Sequence, residues 1–197
     1  MDLSHLVSPT PNLERLQGAL EGCGNHARRH AIAGLAPRDL ARLVDLAADA
    51  EGLSLEALVP AGTDALVEVI HHGKNSLPLF SHFQKRFCRP DGDTTDTLWG
   101  YNHQFWGRAT GPGYFLARVE GKELVIDYGS VPAKKPVGKP EGWPEVLPNE
   151  ARLGRLVWVG MVDRLRRVSD HVTIGRAWRG GKASDDWFAL TREDRPG

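Results

Sequence analysis

The stretch VEVIHHGKNSLPLFSHFQKRFCRP, Val67–Pro90, decides how the fold of this chain is interpreted. Its β-branched start predicts a short strand, which ends near Ile70. The polar run HHGKNS, residues 71–76, then predicts a loop. Pro78 fits the first turn of a helix, where a backbone N–H donor is not needed. The stretch therefore predicts a strand, a polar loop and an amphipathic helix in that order.

The predicted helix has two distinct faces. Phe80, Phe83 and Phe87 recur at i, i+3 and i+7, which is typical of one buried stripe. Four basic residues share another face with the same kind of spacing: His82, Lys85, Arg86 and Arg89. We expect the phenylalanines to face the core and the basic residues to face solvent or a ligand.

The loop between this strand and helix is the first candidate site. Free backbone N–H groups and the helix dipole attract anions at a helix N-terminus. The predicted ligand-binding residues are His71, Lys74, Asn75, Ser76 and Arg86. A simpler interpretation stays open, in which Asn75 and Ser76 only cap the helix while His71 and Lys74 face water. The loop is not a P-loop, because Glu68 and Asn75 stand where that motif needs glycine and Ser or Thr.

A second candidate site lies in the aromatic segment LWGYNHQFWG, residues 98–107. Period-two alternation predicts a strand with Trp99, Tyr101, His103 and Phe105 on one face. Rings with polar tips can line a pocket, in which His72 or His103 would act as acid or base and Tyr101 as a donor. A core strand with one hydrogen-bonded histidine explains the same residues equally well.

The rest of the chain completes an α+β fold with a single domain, residues 1–197. Residues 1–60 form a helical part, with helices at about 12–33 and 37–52, and residues 61–197 form the sheet and its helix. The sheet has five or six antiparallel strands, including a meander over residues 98–128 and a final hairpin around Gly180 and Gly181. A long amphipathic helix at about 150–169 packs across it. A loop with prolines spaced four apart, residues 131–148, joins the two.

Composition excludes several classes of protein. Lys plus Arg and Asp plus Glu both total 25, so the neutral chain predicts no nucleic-acid partner. No apolar run or leader pattern is present, which predicts no membrane partner and a cytoplasmic location. Homo-oligomerisation stays open. Cys23, His26 and His30 share one helix face, but they lack a fourth ligand and a carboxylate, so we predict no metal and no cofactor.

Two functions remain. The first is binding of a small anionic or carbonyl-containing molecule in a cleft, with histidine acid–base catalysis if the protein is an enzyme. The second is a noncatalytic interaction module, which would use the arginine-rich long helix and the proline-spaced loop to dock on a partner protein. The sequence names neither a reaction nor a substrate.

Overall fold

Eight antiparallel strands form a closed barrel in the computed structural model, which describes residues 3–7, 11–78, 81–92, 96–104, 107–132 and 138–194. Each strand pairs with the next along the chain, and β8 pairs with β1 to close the barrel. The strands are β1 Val69–Asn75, β2 His82–Cys88, β3 Leu98–His103, β4 Tyr114–Glu120, β5 Glu123–Asp127, β6 Met161–Arg167, β7 Val172–Arg179 and β8 Lys182–Arg192. Closure leaves neither edge of the sheet unpaired.

Short helices precede the barrel and interrupt two of its connections. They are α1 Ser4–Val7, α2 Leu13–Glu21, α3 Asn25–Ala33, α4 Pro37–Leu46, a 3-10 helix Leu55–Ala57, α5 Gly107–Thr110 and α6 Gly154–Val157. The first four pack on the outer face of β7 and β8, where Leu16, Leu40 and Leu43 join Ile174 and Ala189 in one apolar cluster. None of the described helices is long and apolar enough to cross a membrane.

The barrel interior is apolar at one end and carries a few polar side chains among aromatic rings toward the other. Alternation along each strand sends every second side chain inward, so β2 contributes Phe83, Lys85 and Phe87. Phe87 belongs to a second apolar cluster with Leu55 and Leu58, which close this end of the barrel. Lys85 lies two residues before Phe87 on β2 and is therefore nearer to the opposite end of the barrel, which we call the open end. The open end is therefore the one at which a ligand site can form.

Three inward-facing glycines let phenylalanine rings lie against the barrel wall. A Cβ atom on each glycine would come far too close to the ring opposite it: 2.5 Å for Gly73 and Phe83, 2.3 Å for Gly100 and Phe115, and 2.4 Å for Gly175 and Phe188. The rings occupy the space that side chains at those positions would otherwise fill. Space consequently remains at the centre of the open half.

The predicted α+β fold with five or six strands is wrong, and the main error is the long helix at 150–169. That segment contains only the single turn α6, followed by strand β6. On β6 the inward-facing residues are Met161, Asp163 and Leu165, and the outward-facing Arg164 and Arg166 pair with Glu123 on β5. The apolar spacing that predicted a helix over residues 150–169 arises from the short helix α6 followed by strand β6. The arginine-rich helix of the proposed interaction module does not exist.

The predicted central helix is also wrong, because residues 82–88 form β2. Phe83 and Phe87 are four apart, and this spacing fits both a helical stripe and one face of a strand. Phe80 lies outside the described residues. The candidate loop 71–76 is mostly strand β1, so the predicted helix N-terminus is absent from this place.

Other local predictions are confirmed. β3, β4 and β5 form the predicted antiparallel meander, and β7 and β8 form the predicted hairpin. The N-terminal part is helical, although Gly22 ends α2 and Gly24 begins α3 where one helix was expected. Phe105 and Trp106 lie outside the described residues.

Candidate functional site

A buried lysine and a buried aspartate form an ion pair inside the open half of the barrel. Lys85 Nζ lies 3.0 Å from Asp163 Oδ2, and both side chains are 3% exposed. The ammonium group also donates to Asn102 Oδ1 at 2.9 Å. Tyr128 makes a close contact with Nζ through its hydroxyl group, and the same hydroxyl donates to Asp163 Oδ2 at 3.0 Å. Lys85, Asn102, Tyr128 and Asp163 therefore form one connected polar cluster.

Strand register places these four side chains together. Lys85 and Asn102 are direct cross-strand neighbours on β2 and β3. Asp163 lies opposite Ile126 on β5, and Tyr128 follows the end of that strand. Lys85 reaches across the barrel from β2 to β6, so closure of the barrel is what brings its charge to Asp163.

Aromatic rings surround the ammonium group. Nζ lies between 5.1 and 5.5 Å from four ring centroids, which belong to Phe83, Phe115, Tyr128 and Phe188. Burial lowers the pKa of Lys85 from its ordinary value, and the Asp163 carboxylate opposes this change. Burial beside the same carboxylate raises the pKa of Tyr128 well above its usual range. The site therefore holds a phenol that stays protonated beside an ammonium group whose charge burial disfavours and Asp163 stabilises.

A cavity of about 190 Å³ adjoins this cluster. Trp158, which follows α6, forms part of its wall and stacks on Tyr128 with ring centroids 5.2 Å apart and planes 14° from parallel. The indole N–H donates to the Thr110 carbonyl oxygen at 3.0 Å and fixes the ring across the opening. Asn75, Gln104 and Asp186 also line this cavity. The cavity is thus apolar and aromatic, with polar groups gathered around Lys85 and Asp163.

Three residues predicted to act together meet outside the barrel. His72, Lys74 and His103 line an open cleft of about 650 Å³ between α3 and the barrel wall, together with His26, His30 and His82. His72 Nε2 lies 3.0 Å from Glu193 Oε2. Partial burial lowers the pKa of His72, His82 and His103. The cleft is therefore open, and partial burial disfavours the charged forms of these three histidines.

The remaining predicted residues are dispersed. His71 is buried inside the barrel, where Nε2 lies 2.9 Å from the Leu58 carbonyl oxygen and burial lowers its pKa to about 3. Ser76 Oγ accepts a hydrogen bond from the Trp187 backbone N–H. Arg86 pairs with Glu68 at 2.8 Å. These contacts are structural, and only Asn75 among the five predicted ligand-binding residues borders the barrel cavity.

Tyr101 also has a structural environment. Its ring packs on Tyr114 and Trp143, and it is buried in their cluster. The hydroxyl lies 3.4 Å from His103 Nδ1 on the outer face of the barrel. Tyr101 and His103 thus share a face, as the sequence indicated, but that face lies outside the barrel.

Within the described ranges, His, Cys, Asp and Glu side chains form no cluster of three or more suited to a metal ion. Cys23 precedes α3, and its Sγ donates to the Leu20 carbonyl oxygen at 3.3 Å. His26 and His30 face the outer cleft instead.

The sequence alone did not bring Lys85, Asn102, Tyr128 and Trp158 together in one candidate site. In the sequence, Asp163 stands among apolar residues, which predicts a pair with an arginine or with His171; in the structure its partner is Lys85. The useful signal was alternation: Lys85 stands between Phe83 and Phe87 at the inward positions of β2, and Asp163 stands between Met161 and Leu165 on β6. A charge inside such an apolar alternation indicates a buried charge.

Comparison with protein-family models, with curated proteins and with solved structures finds no match to this chain.

Proposed function

We propose that the barrel binds one small, mostly apolar and uncharged molecule, whose carbonyl or hydroxyl oxygen meets the Lys85 cluster. The observation that carries this proposal is a buried ion pair beside a cavity walled by aromatic rings. Cavities with an apolar lining and a few convergent polar groups are the usual form of small-molecule sites. The proposal keeps the carbonyl ligand inferred from the sequence and moves its site from residues 71–76 to the barrel interior.

The charges that line the cavity favour an uncharged ligand over an anion. Lys85 and Asp163 balance one another, and Asp186 adds a carboxylate that also lines the cavity. An anion entering this space would lose its hydration without gaining a free cation among the described lining residues. A carbonyl or hydroxyl oxygen needs only a donor, and the ammonium group or the Tyr128 hydroxyl can supply one by sharing a hydrogen that otherwise points to Asp163.

The size of the cavity limits the ligand. A cavity of about 150 Å³ in another protein holds benzene. The present cavity, at about 190 Å³, has room for one ring with a small polar substituent. Eight-stranded barrels in general leave an interior that side chains fill or that holds one small ligand.

Stability gives a further argument for a functional pair. Replacing a buried ion pair by apolar side chains of similar size is often neutral or stabilising. Lys85 and Asp163 are therefore poorly explained by stability, whereas a ligand that needs a donor in an apolar space explains both. A cytoplasmic location remains part of this proposal, because both Cys23 and Cys88 are free thiols.

Ligand-observed NMR with benzyl alcohol tests the proposal. Wild-type protein is expected to show saturation transfer to the aromatic protons of the alcohol. Ala177→Leu should weaken binding at least tenfold, since Ala177 lines the cavity and the larger side chain fills it. Ala61→Leu provides the matched control, because Ala61 is exposed and is not among the residues that line the cavity. Equal binding by the two variants would contradict a site inside the barrel.

A further inference from the structure

We propose that Lys85 forms a reversible imine with an aldehyde bound in the barrel, so that the site holds its ligand covalently. This inference rests on the proposed function and goes beyond it, because a noncovalent site needs only the donors of the polar cluster. The geometry that carries it is an amine and a proton acceptor in contact, inside an aromatic enclosure that opens onto a cavity.

The first requirement of imine formation is a neutral amine, since an ammonium group has no free electron pair. Asp163 Oδ2 lies 3.0 Å from Nζ and can take its proton directly. After that transfer the cluster contains a neutral amine and a neutral carboxyl group, and no net charge has moved into the barrel. Desolvation by burial lowers the pKa of Lys85 and so assists this transfer, in the way that desolvation activates lysine nucleophiles in general.

The second requirement is a route for each proton and for the departing oxygen. The Nζ electron pair attacks the aldehyde carbon, a C–N bond forms, and the carbonyl π electrons move to the oxygen. That oxygen takes the proton of protonated Asp163, directly or through the Tyr128 hydroxyl, while nitrogen returns one of its own protons to the Asp163 carboxylate, which leaves a neutral carbinolamine and a protonated Asp163. Protonation of the carbinolamine hydroxyl then breaks the C–O bond, and water leaves. Loss of the last N–H proton to the carboxylate gives the imine, so that one amine and one aldehyde yield one imine and one water.

The positions of the other polar groups fit these steps. Tyr128 lies in hydrogen-bond contact with both Nζ and Asp163, so its hydroxyl group can pass a proton between carboxyl and carbonyl oxygen. Asn102 Oδ1 accepts from Nζ at 2.9 Å, while the Asn102 amide donates to the Gly113 carbonyl oxygen at 3.0 Å. This second contact fixes the amide orientation, which keeps the acceptor directed at the amine.

The cavity also suits the aldehyde class of carbonyl compound. Its volume admits one ring with a small substituent, and an aldehyde carbon carries only hydrogen on its second side. The apolar walls restrict the entry of water, which slows hydrolysis of the imine once it has formed. A carboxylic acid would bring an extra negative charge beside Asp163 and cannot form an imine with an amine under mild conditions.

Reductive trapping with benzaldehyde and cyanoborohydride tests this inference. The reductant converts an imine into a stable secondary amine, so peptide mapping by mass spectrometry identifies each lysine that carries a benzyl group. At neutral pH we expect Lys85 to be labelled at least tenfold faster than the exposed Lys122 and Lys182. Excess benzyl alcohol should slow labelling of Lys85 and leave the two exposed lysines unaffected. Lys85→Met should lose the fast label, and the wild-type peptide map remains decisive if that variant does not fold.

The outcomes separate this inference from the proposed function. If the protein binds benzyl alcohol but Lys85 is labelled no faster than the exposed lysines, the imine proposal is overturned and the proposed binding site stands. Fast labelling of Lys85 that benzyl alcohol does not slow would show that the aldehyde reaches the amine without occupying the benzyl alcohol site, and would overturn the inference. Absence of both binding and labelling would overturn the two proposals together.

Discussion

Removing one member of the Lys85–Asp163 pair should destabilise the protein far more than removing both. At 3.0 Å and an effective dielectric constant of about 20, the attraction between the two charges is about 5 kcal/mol. Lys85→Met leaves a carboxylate whose side chain is 3% exposed, and breaking a buried pair in this way typically costs about 3–5 kcal/mol. Asp163→Leu leaves an ammonium group among four rings, with a cost of about the same size. The double variant should lie within about 1 kcal/mol of the wild type or exceed it.

Urea unfolding of the four proteins measures this cycle. The coupling free energy should be at least about 3 kcal/mol, since neither charge is left unpaired in the double variant. The exposed pair Arg176–Asp185 supplies a control cycle, with an expected coupling below about 1 kcal/mol. Single-variant costs below about 1 kcal/mol that simply add would show that the pair is hydrated, and the argument for a desolvated site would then be refuted.

The pH dependence of Lys85→Met gives a second measurement on the same pair. Without its partner, Asp163 should have a raised pKa in the folded state, because its charged form is buried and unpaired. The folded state then binds more protons than the unfolded state, so the stability of this variant should fall as pH rises. A pH profile parallel to that of the wild type would contradict this expectation.

Two further predictions concern the interior of the barrel. Burial lowers the pKa of His71 from 6.5 to about 3, so the unfolded state binds the extra proton between these values and stability is lost as pH falls below 6.5. The free energy of unfolding should fall by about 2 kcal/mol at about pH 5. His71→Gln should remove this part of the pH profile measured by urea unfolding. An unchanged profile would contradict the assignment of this pH dependence to His71. Gly175→Ala should cost about 1–3 kcal/mol and weaken benzyl alcohol binding, because the new methyl group displaces the Phe188 ring. Gly18→Ala lies at an exposed helix position with open space around it, so this control should instead stabilise the protein by about 0.5–1 kcal/mol. Equal effects of Gly175→Ala and Gly18→Ala on stability would argue against the close contact between Gly175 and Phe188.

The two strands that sequence reasoning assigned to helices are the two that carry the buried pair. A strand inside a barrel is easily recognised when apolar side chains alternate with polar ones. Lys85 interrupts that alternation on β2, and Asp163 interrupts it on β6. On each strand the central inward-facing residue is charged, so the apolar residues on either side of it are four apart. That spacing fits a helical period as well as one face of a strand. The local signal was therefore misleading at the place where the structure departs from an ordinary apolar interior, as is expected of functional positions.

The sequence by itself determined the elements that depend on local chemistry. Turn residues such as Gly121 and the Gly180–Gly181 pair determined two hairpins, because these backbone positions have positive φ angles that glycine adopts readily. Pro37 marked the start of α4, since its ring suits the first turn of a helix. Only the tertiary structure decided that β1 and β8 pair, that the barrel closes, and that Lys85 meets Asp163 across a sequence separation of 78 residues. The physical reason is that an inward-facing charge is stable only beside a partner, and that partner comes from a distant strand whose position closure alone fixes.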